Sequence, residues 1–176
     1  PQLKVISSMS VGVDHIDVSA ATARGIPVGN TPGVLTDATA DQAFALMLAA
    51  ARRITEAERF LRAGKWVTWQ PSLLLGADLV GATLGIVGFG RIGQAIAKRA
   101  QGFDLRVIYH SSNAEPAYGA QPVDLDTLLH ESDFVSINVP LKTETRHLVN
   151  AEFLAKMKPS AILVNTARGG VLDQNA

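Results

Sequence analysis

The chain has 176 residues, of which 47% are hydrophobic, and its 16 Lys or Arg residues balance 16 Asp or Glu to a formal net charge of zero. Scattered basic residues with no net charge argue against a nucleic-acid partner. The absence of cysteine removes disulfides and thiolate chemistry and suits a reducing, cytoplasmic setting. No basic segment followed by an apolar core opens the chain, and its longest near-continuous apolar run, Ala43 to Ala51, is too short to span a bilayer.

In chain order, Leu3 to Ile6 reads as a short strand, and Val18 to Arg24 as a helix closed by Gly25. Ile26 to Val28 is a second strand. The turn-rich Asn30-Thr31-Pro32-Gly33 marks a candidate domain boundary. One long helix is expected next, with Asp37 as N-cap and Gly64 as its stop. Its buried stripe would be Phe44, Met47, Ala51, Ile54, Ala57 and Leu61, with Arg52, Arg53, Glu56, Glu58, Arg59 and Arg62 on a solvated side. Lys65 to Gly81 is a long connection carrying Trp66, Trp69 and Pro71. Such loops serve function or interfaces, and here the two rings could equally cover the protein's own core.

From Ala82 onward strands and helices alternate. The strands expected are Leu84–Val87, Leu105–Tyr109, Phe134–Asn138 and Ala161–Asn165. The helices are Arg91–Gln101, Leu125–His130 and Ala151–Lys158, with Asp124 and Asn150 as N-caps and Pro159 as a stop. Strands apolar on both faces belong to a parallel sheet covered by helices on both sides, so the fold class is α/β, a Rossmann-type doubly wound sheet. Residues 1–33 would then be a short remnant of a second α/β domain. Apolar segments lie close to both ends of the chain, and the expectation is a piece of a longer protein.

The chemistry concentrates where the first of these strands runs into Gly88-Phe89-Gly90-Arg91-Ile92-Gly93. In G-x-G-x-x-G the first glycine allows a tight turn, the second lets backbone approach a pyrophosphate, and the third lets the helix pack closely. The helix N-terminus favours the phosphate charge. Ligands of such sheets bind at the carboxyl ends of the strands, so three further strand ends matter. Tyr109-His110-Ser111-Ser112-Asn113 stands where an NAD site usually places an acid for the ribose 2′-OH, and none is present before Glu115. His110 and the serines lean towards NADP(H), with NAD(H) possible and with His110 as a solvated loop residue the alternative. Asn138-Val139-Pro140, with Thr145 just beyond, could flank the adenosine or be an ordinary strand stop.

Val164-Asn165-Thr166-Ala167-Arg168-Gly169-Gly170 sets an arginine at the mouth of an apolar strand. Its planar fork suits a carboxylate and an adjacent carbonyl, and the alternative is an arginine paired with a surface acid. Val11 and Gly12, in Ser10-Val11-Gly12-Val13-Asp14, could hold an anion with backbone N–H groups. His15, His130 and His147 lack metal-ligand spacing and read as structural, so no metal is expected.

The stretches SVGVDHID, GIPVGNTPGVLTDATAD, GKWVTWQP, GIVGFGRIGQAIAKRA, SDFVSINVPLKTETRHLVN and ILVNTARGGVLD, in this order, resemble the D-isomer-specific 2-hydroxyacid dehydrogenases. The W-x-x-W-x-P segment is most similar to their glyoxylate/hydroxypyruvate reductase branch. The resemblance implies NAD(P)H-dependent reduction of a small 2-keto acid to the 2-hydroxy acid, in a homodimer. It makes residues 1–33 part of a substrate-binding domain and 34–176 a dinucleotide-binding domain incomplete at its C-terminal end. It assigns Arg168 as the catalytic arginine, and Val11 and Gly12 as donors to the substrate carboxylate. Phe89 to Ile92 would meet the pyrophosphate, Ser111 to Asn113 the ribose end of the adenosine, and Thr166 to Arg168 the nicotinamide side. Trp69 would be the ring extended towards the neighbouring subunit's site. The family's acid His and its supporting Glu are expected beyond Ala176, which would leave this chain alone inactive. Another 2-hydroxy acid as substrate, or an NAD(H)-sensing binding module, are the competing readings.

Overall fold

The computed structural model describes residues 2–176. Its centre is a five-stranded parallel sheet in the order β5-β4-β3-β6-β7. The strands are β3 (Thr83–Val87), β4 (Arg106–His110), β5 (Gln121–Pro122), β6 (Phe134–Ile137) and β7 (Ile162–Asn165). β1 (Ile6–Ser7) and β2 (Val28–Gly29) form a separate two-stranded parallel sheet. They are joined through α1 (Val18–Ala23), which starts on the Asp17 carboxylate and is followed by Gly25 at φ 65°.

Side-chain alternation on the central strands sorts residues into two cores, as a sheet covered on both faces requires. Leu84, Ile86, Val107, Tyr109 and Phe134 pack under α2 (Thr36–Ala51) and α4 (Arg91–Ala100). Val87, Ile108, Val135 and Ile137 pack under α5 (Leu125–Glu131) and α6 (Ala151–Lys156). The sheet grows from β3 in one direction through β4 and β5 and in the other through β6 and β7. The order therefore reverses between β3 and β6, and their carboxyl ends open a crevice there.

Several local expectations shift. The long helix is two helices, α2 and α3 (Ile54–Arg62), broken at Arg53, whose φ is 52°. The carbonyl of Ala51 accepts the N–H of Ala77 at 2.9 Å, so the returning chain replaces the next helical bond. The apolar stripe consequently ends at Ala51: Ile54 and Leu61 are exposed. Asp37 is not the N-cap. Leu35 occupies that position without a side-chain bond, and Asp37 sits in the first turn, where it joins Asp41 in pairing with Arg99 of α4. β1 and β2 lie one to three residues later than the apolar runs Leu3–Ile6 and Ile26–Val28, and Leu3 and Val5 are exposed. α6 stops at Lys156, two residues before the expected end. The edge strand β5 was not expected. Its two residues are exposed, and they offer neither apolar alternation nor length as a signal. Asp124 and Asn150 cap α5 and α6 as expected, accepting backbone N–H groups at 2.8 and 3.0 Å.

Among the described residues, no helix is long and apolar enough to cross a membrane. Neither tryptophan belongs to the core: Trp66 and Trp69 are 53% and 76% exposed.

Candidate cofactor and substrate cleft

The glycine turn has the geometry that a dinucleotide needs. Gly88 follows β3 at φ 93°, and a Cβ there would lie 2.8 Å from the carbonyl of Asn138, at the end of β6. A Cβ on Gly93 would run into the carbonyl oxygen of Gly88, so α4 can start this close to the sheet only without one. Gly90 has open space where its side chain would be. It is also the N-cap of α4 and provides no side-chain bond. An uncapped N-terminus of a ten-residue helix leaves N–H groups and dipole to an anion. These residues fit a pyrophosphate. Only the backbone of Phe89 is open to a ligand, because its ring is fully buried and stacked on Tyr109 with centroids 3.9 Å apart.

β4 delivers the segment expected at the ribose end. His110 is its last residue, and Nδ1 of its ring lies 3.2 Å from the carbonyl oxygen of Val123. His110 is therefore partly buried and tied to backbone rather than a free loop residue. Ser111 is half-buried and Ser112 and Asn113 are exposed. No acid stands among them, as the sequence already shows. The hydroxyl of the buried Tyr109 donates to Ala114 at 3.0 Å and anchors the far side of this loop.

A cleft of about 660 Å³ gathers most of the other expected residues. Val11 and Gly12 come from the loop after β1, Ile92 from α4, Val139 and Pro140 from the end of β6, and Thr166, Ala167 and Arg168 from the end of β7. Asn165 shapes this last turn: its amide donates to the carbonyl of Arg168 at 3.0 Å, and its side-chain oxygen accepts the N–H of Ala167 at 3.0 Å. Thr145 lies outside the lining. Its hydroxyl accepts the N–H of Lys142 and donates to the carbonyl of Pro140, at 2.8 and 2.6 Å, so it braces the loop behind Pro140.

Arg168 is paired with an acid, but with one inside the cleft. Its Nε lies 3.1 and 3.2 Å from the two carboxylate oxygens of Asp14. Nη1 donates to the carbonyl of Ala167 at 2.9 Å. Nη2 faces the Val11–Gly12 loop so closely that a Cβ on Gly12 would collide with it. The Asp14 carboxyl is held below its ordinary value, first by its own backbone N–H and also by the Arg168 guanidinium. Two groups separated by 154 positions in the chain thus make one site. Sequence patterning could not have linked Asp14 to Arg168. An acid directly behind a candidate anion loop was the only available signal.

Trp69 does not join this cleft in its own chain. It lines a second, apolar pocket of about 630 Å³ with Trp66, Pro71, Leu73 to Leu75 and the Phe60 and Leu61 face of α3. The cleft around Arg168 contains no histidine and no glutamate.

The family model of the D-isomer specific 2-hydroxyacid dehydrogenase NAD-binding domain matches residues 44–176. A glyoxylate reductase of Thermococcus litoralis is 58% identical over the whole chain, which covers 56% of that protein. A glyoxylate reductase of Korarchaeum cryptofilum is 55% identical over the whole chain, which covers 54% of that protein. The crystal structure of the TT0316 protein from Thermus thermophilus superposes with a TM-score of 0.94 at 54% identity, covering 98% of this chain and 55% of that one. The chain therefore spans about half the length of the curated relatives it matches. With a glycine turn open to a dinucleotide and an arginine at the neighbouring strand end, the chain belongs to the D-isomer specific 2-hydroxyacid dehydrogenase family.

Proposed function

We propose that the protein containing this chain reduces glyoxylate and hydroxypyruvate to the corresponding 2-hydroxy acids with a reduced nicotinamide cofactor. The observation that carries this reading is the single cleft uniting the Val11–Gly12 loop, the end of α4 that meets the glycine turn, and Arg168. The cofactor supplies the hydride. Gly88 to Gly93 hold its pyrophosphate on the N-terminus of α4, and Thr166 and Ala167 line the side where its ring would enter. The backbone N–H groups of Val11 and Gly12 receive the substrate carboxylate. Arg168 orients the keto acid and stabilises charge developing on its keto oxygen. Residues 1–33 form part of the substrate-binding domain and 34–176 the dinucleotide-binding domain.

The ribose-end loop favours NADP(H) over NAD(H), because no carboxylate at Ser111 to Asn113 opposes a 2′-phosphate. The preference is modest, because no arginine clamps the phosphate either. A homodimer is supported by the exposed apolar side chains Ile54, Leu61, Trp66, Trp69 and Leu75 on and beside α3, of which Leu61, Trp66, Trp69 and Leu75 line one apolar pocket suited to an interface. Across it Trp69 would approach the partner's cleft. The cleft of this chain brings neither a histidine nor a glutamate to the alkoxide, and the 176-residue chain alone should not turn over.

The test is oxidation of NADPH and NADH by glyoxylate, hydroxypyruvate, pyruvate and larger 2-keto acids with a full-length protein containing this chain. Turnover strongest with the two small substrates is expected. A protein that binds the cofactor and reduces none of the acids would refute the reading in favour of a sensing module.

A further inference from the structure

The loop from Ser10 to Val13 turns three successive carbonyl groups towards its own protein. The carbonyl of Ser10 accepts the N–H of Thr31 at 3.0 Å. That of Val11 accepts the side-chain amide of Asn30 at 2.9 Å. That of Gly12 accepts the hydroxyl of Ser10 at 2.6 Å. The Ser10 hydroxyl is in turn 2.6 Å from that of Ser8, which lies 3.3 Å from Nε2 of His15. Among the described residues, the backbone N–H groups of Val11, Gly12 and Val13 donate to no protein acceptor.

A trans peptide is planar, with its C=O and N–H pointing in opposite directions. Fixing the carbonyl of one residue therefore aims the N–H of the next. The Thr31 bond aims the N–H of Val11, the Asn30 bond aims that of Gly12, and the Ser10 bond aims that of Val13. Two of these three constraints depend on side chains. Without the Asn30 amide, the Val11–Gly12 peptide can rotate and present a carbonyl oxygen, the wrong end of the dipole, to an anion. Gly12 has little intrinsic resistance to such rotation because it lacks a Cβ.

We propose that Asn30 and Ser10 are positioning residues: Asn30 sets the N–H group of Gly12, and Ser10 adds that of Val13 to the Val11 and Gly12 N–H groups that receive the carboxylate of the 2-keto acid. This inference rests on the reductase reading above. Neither residue lies at a strand end of the central sheet, and Asn30 reaches the loop from 19 positions away.

The experiment uses the full-length protein with Asn30→Ala, Ser10→Ala and the hydroxyl-retaining Ser10→Thr. For each alanine variant we expect the glyoxylate KM to rise by about tenfold, equivalent to ~1.4 kcal/mol, with kcat unchanged, the signature of lost ground-state binding. Inhibition by oxalate should weaken by the same factor. The cofactor KM should not move, and Ser10→Thr should keep the wild-type KM. Wild-type KM and oxalate inhibition in both alanine variants would overturn the inference alone. So would a parallel loss of cofactor affinity and kcat, which would mark general damage to the fold. A wild-type protein that reduces neither glyoxylate nor hydroxypyruvate would sink the reductase reading and this inference together.

Discussion

In the proposed reaction, Arg168 is the side chain that acts on the substrate. Asp14 takes its Nε and the Ala167 carbonyl its Nη1, so the fork is already oriented before a substrate carboxylate or keto oxygen reaches it. In the full-length protein, Arg168→Ala should lower kcat/KM for glyoxylate by roughly 2–4 kcal/mol of transition-state stabilisation. Cofactor affinity should stay near wild type. Arg168→Lys should recover little of the loss, because an ammonium cannot satisfy Asp14, Ala167 and a substrate in one plane. Steady-state kinetics with both variants check this, and a wild-type rate in Arg168→Ala would remove the catalytic assignment. The cofactor preference belongs to the same scale. NADPH should be favoured over NADH by about tenfold in kcat/KM, or ~1.4 kcal/mol. Because the His110 ring is committed to the Val123 carbonyl, Ser111→Asp is the substitution expected to reverse the preference, by binding the 2′-OH and opposing the phosphate. A strong NADH preference in the wild type would show that the missing acid does not decide the choice.

At the scale of elements, the sheet is held in register partly by Asp133, which stands just before β6. Its carboxylate accepts the N–H of Thr83, at the start of β3, at 2.9 Å and pairs with Lys158, beyond α6, at 2.8 Å. Burial pushes its pKa up, but the Lys158 ammonium and the Thr83 N–H outweigh this and hold it below the ordinary carboxylate value. The sign follows. Stability from Asp133 is present in full above the unfolded-state value and is lost as pH falls through the lowered folded value. The pair is partly solvated, so Asp133→Asn should cost about 1 kcal/mol near neutral pH. The difference from wild type should vanish in strongly acidic solution. Denaturant unfolding across pH measures it, and a difference that persists unchanged into acid would contradict the assignment. Gly88 is the second such point. Gly88→Ala combines positive φ with a close contact to the Asn138 carbonyl, so a loss of about 1–3 kcal/mol and weaker cofactor binding are expected in thermal melts and titrations.

At the scale of the whole molecule, the exposed apolar side chains of α3 and the loop after it carry the proposed dimer contact. Trp69→Ala should leave the fold and the cofactor KM unchanged and should raise the keto-acid KM only where the protein is dimeric. Sedimentation together with kinetics separates the outcomes. Unchanged kinetics with a lower melting temperature would mean that the ring packs on its own chain instead.

What the sequence determined by itself was everything encoded within a few neighbouring residues. The glycine turn, the caps Asp124 and Asn150, the alternating β-α order and the arginine after β7 were legible because each depends on local spacing or on backbone freedom. Tertiary structure alone decided what depends on residues meeting from afar. The break at Arg53 arises because Ala77 takes the Ala51 carbonyl, which no periodicity within the helix reveals. Asp37 is drawn from capping to ion pairing by Arg99. β5 exists only because β4 offers it an edge. The pairing of Asp14 with Arg168 and the hold of Asn30 on Val11 are likewise set by the meeting of the loops after β1, β2 and β7. Apolar stripes are written in sequence by the hydrophobic effect, whereas the partner of a polar side chain is fixed only when the folded chain brings donor and acceptor within hydrogen-bond distance.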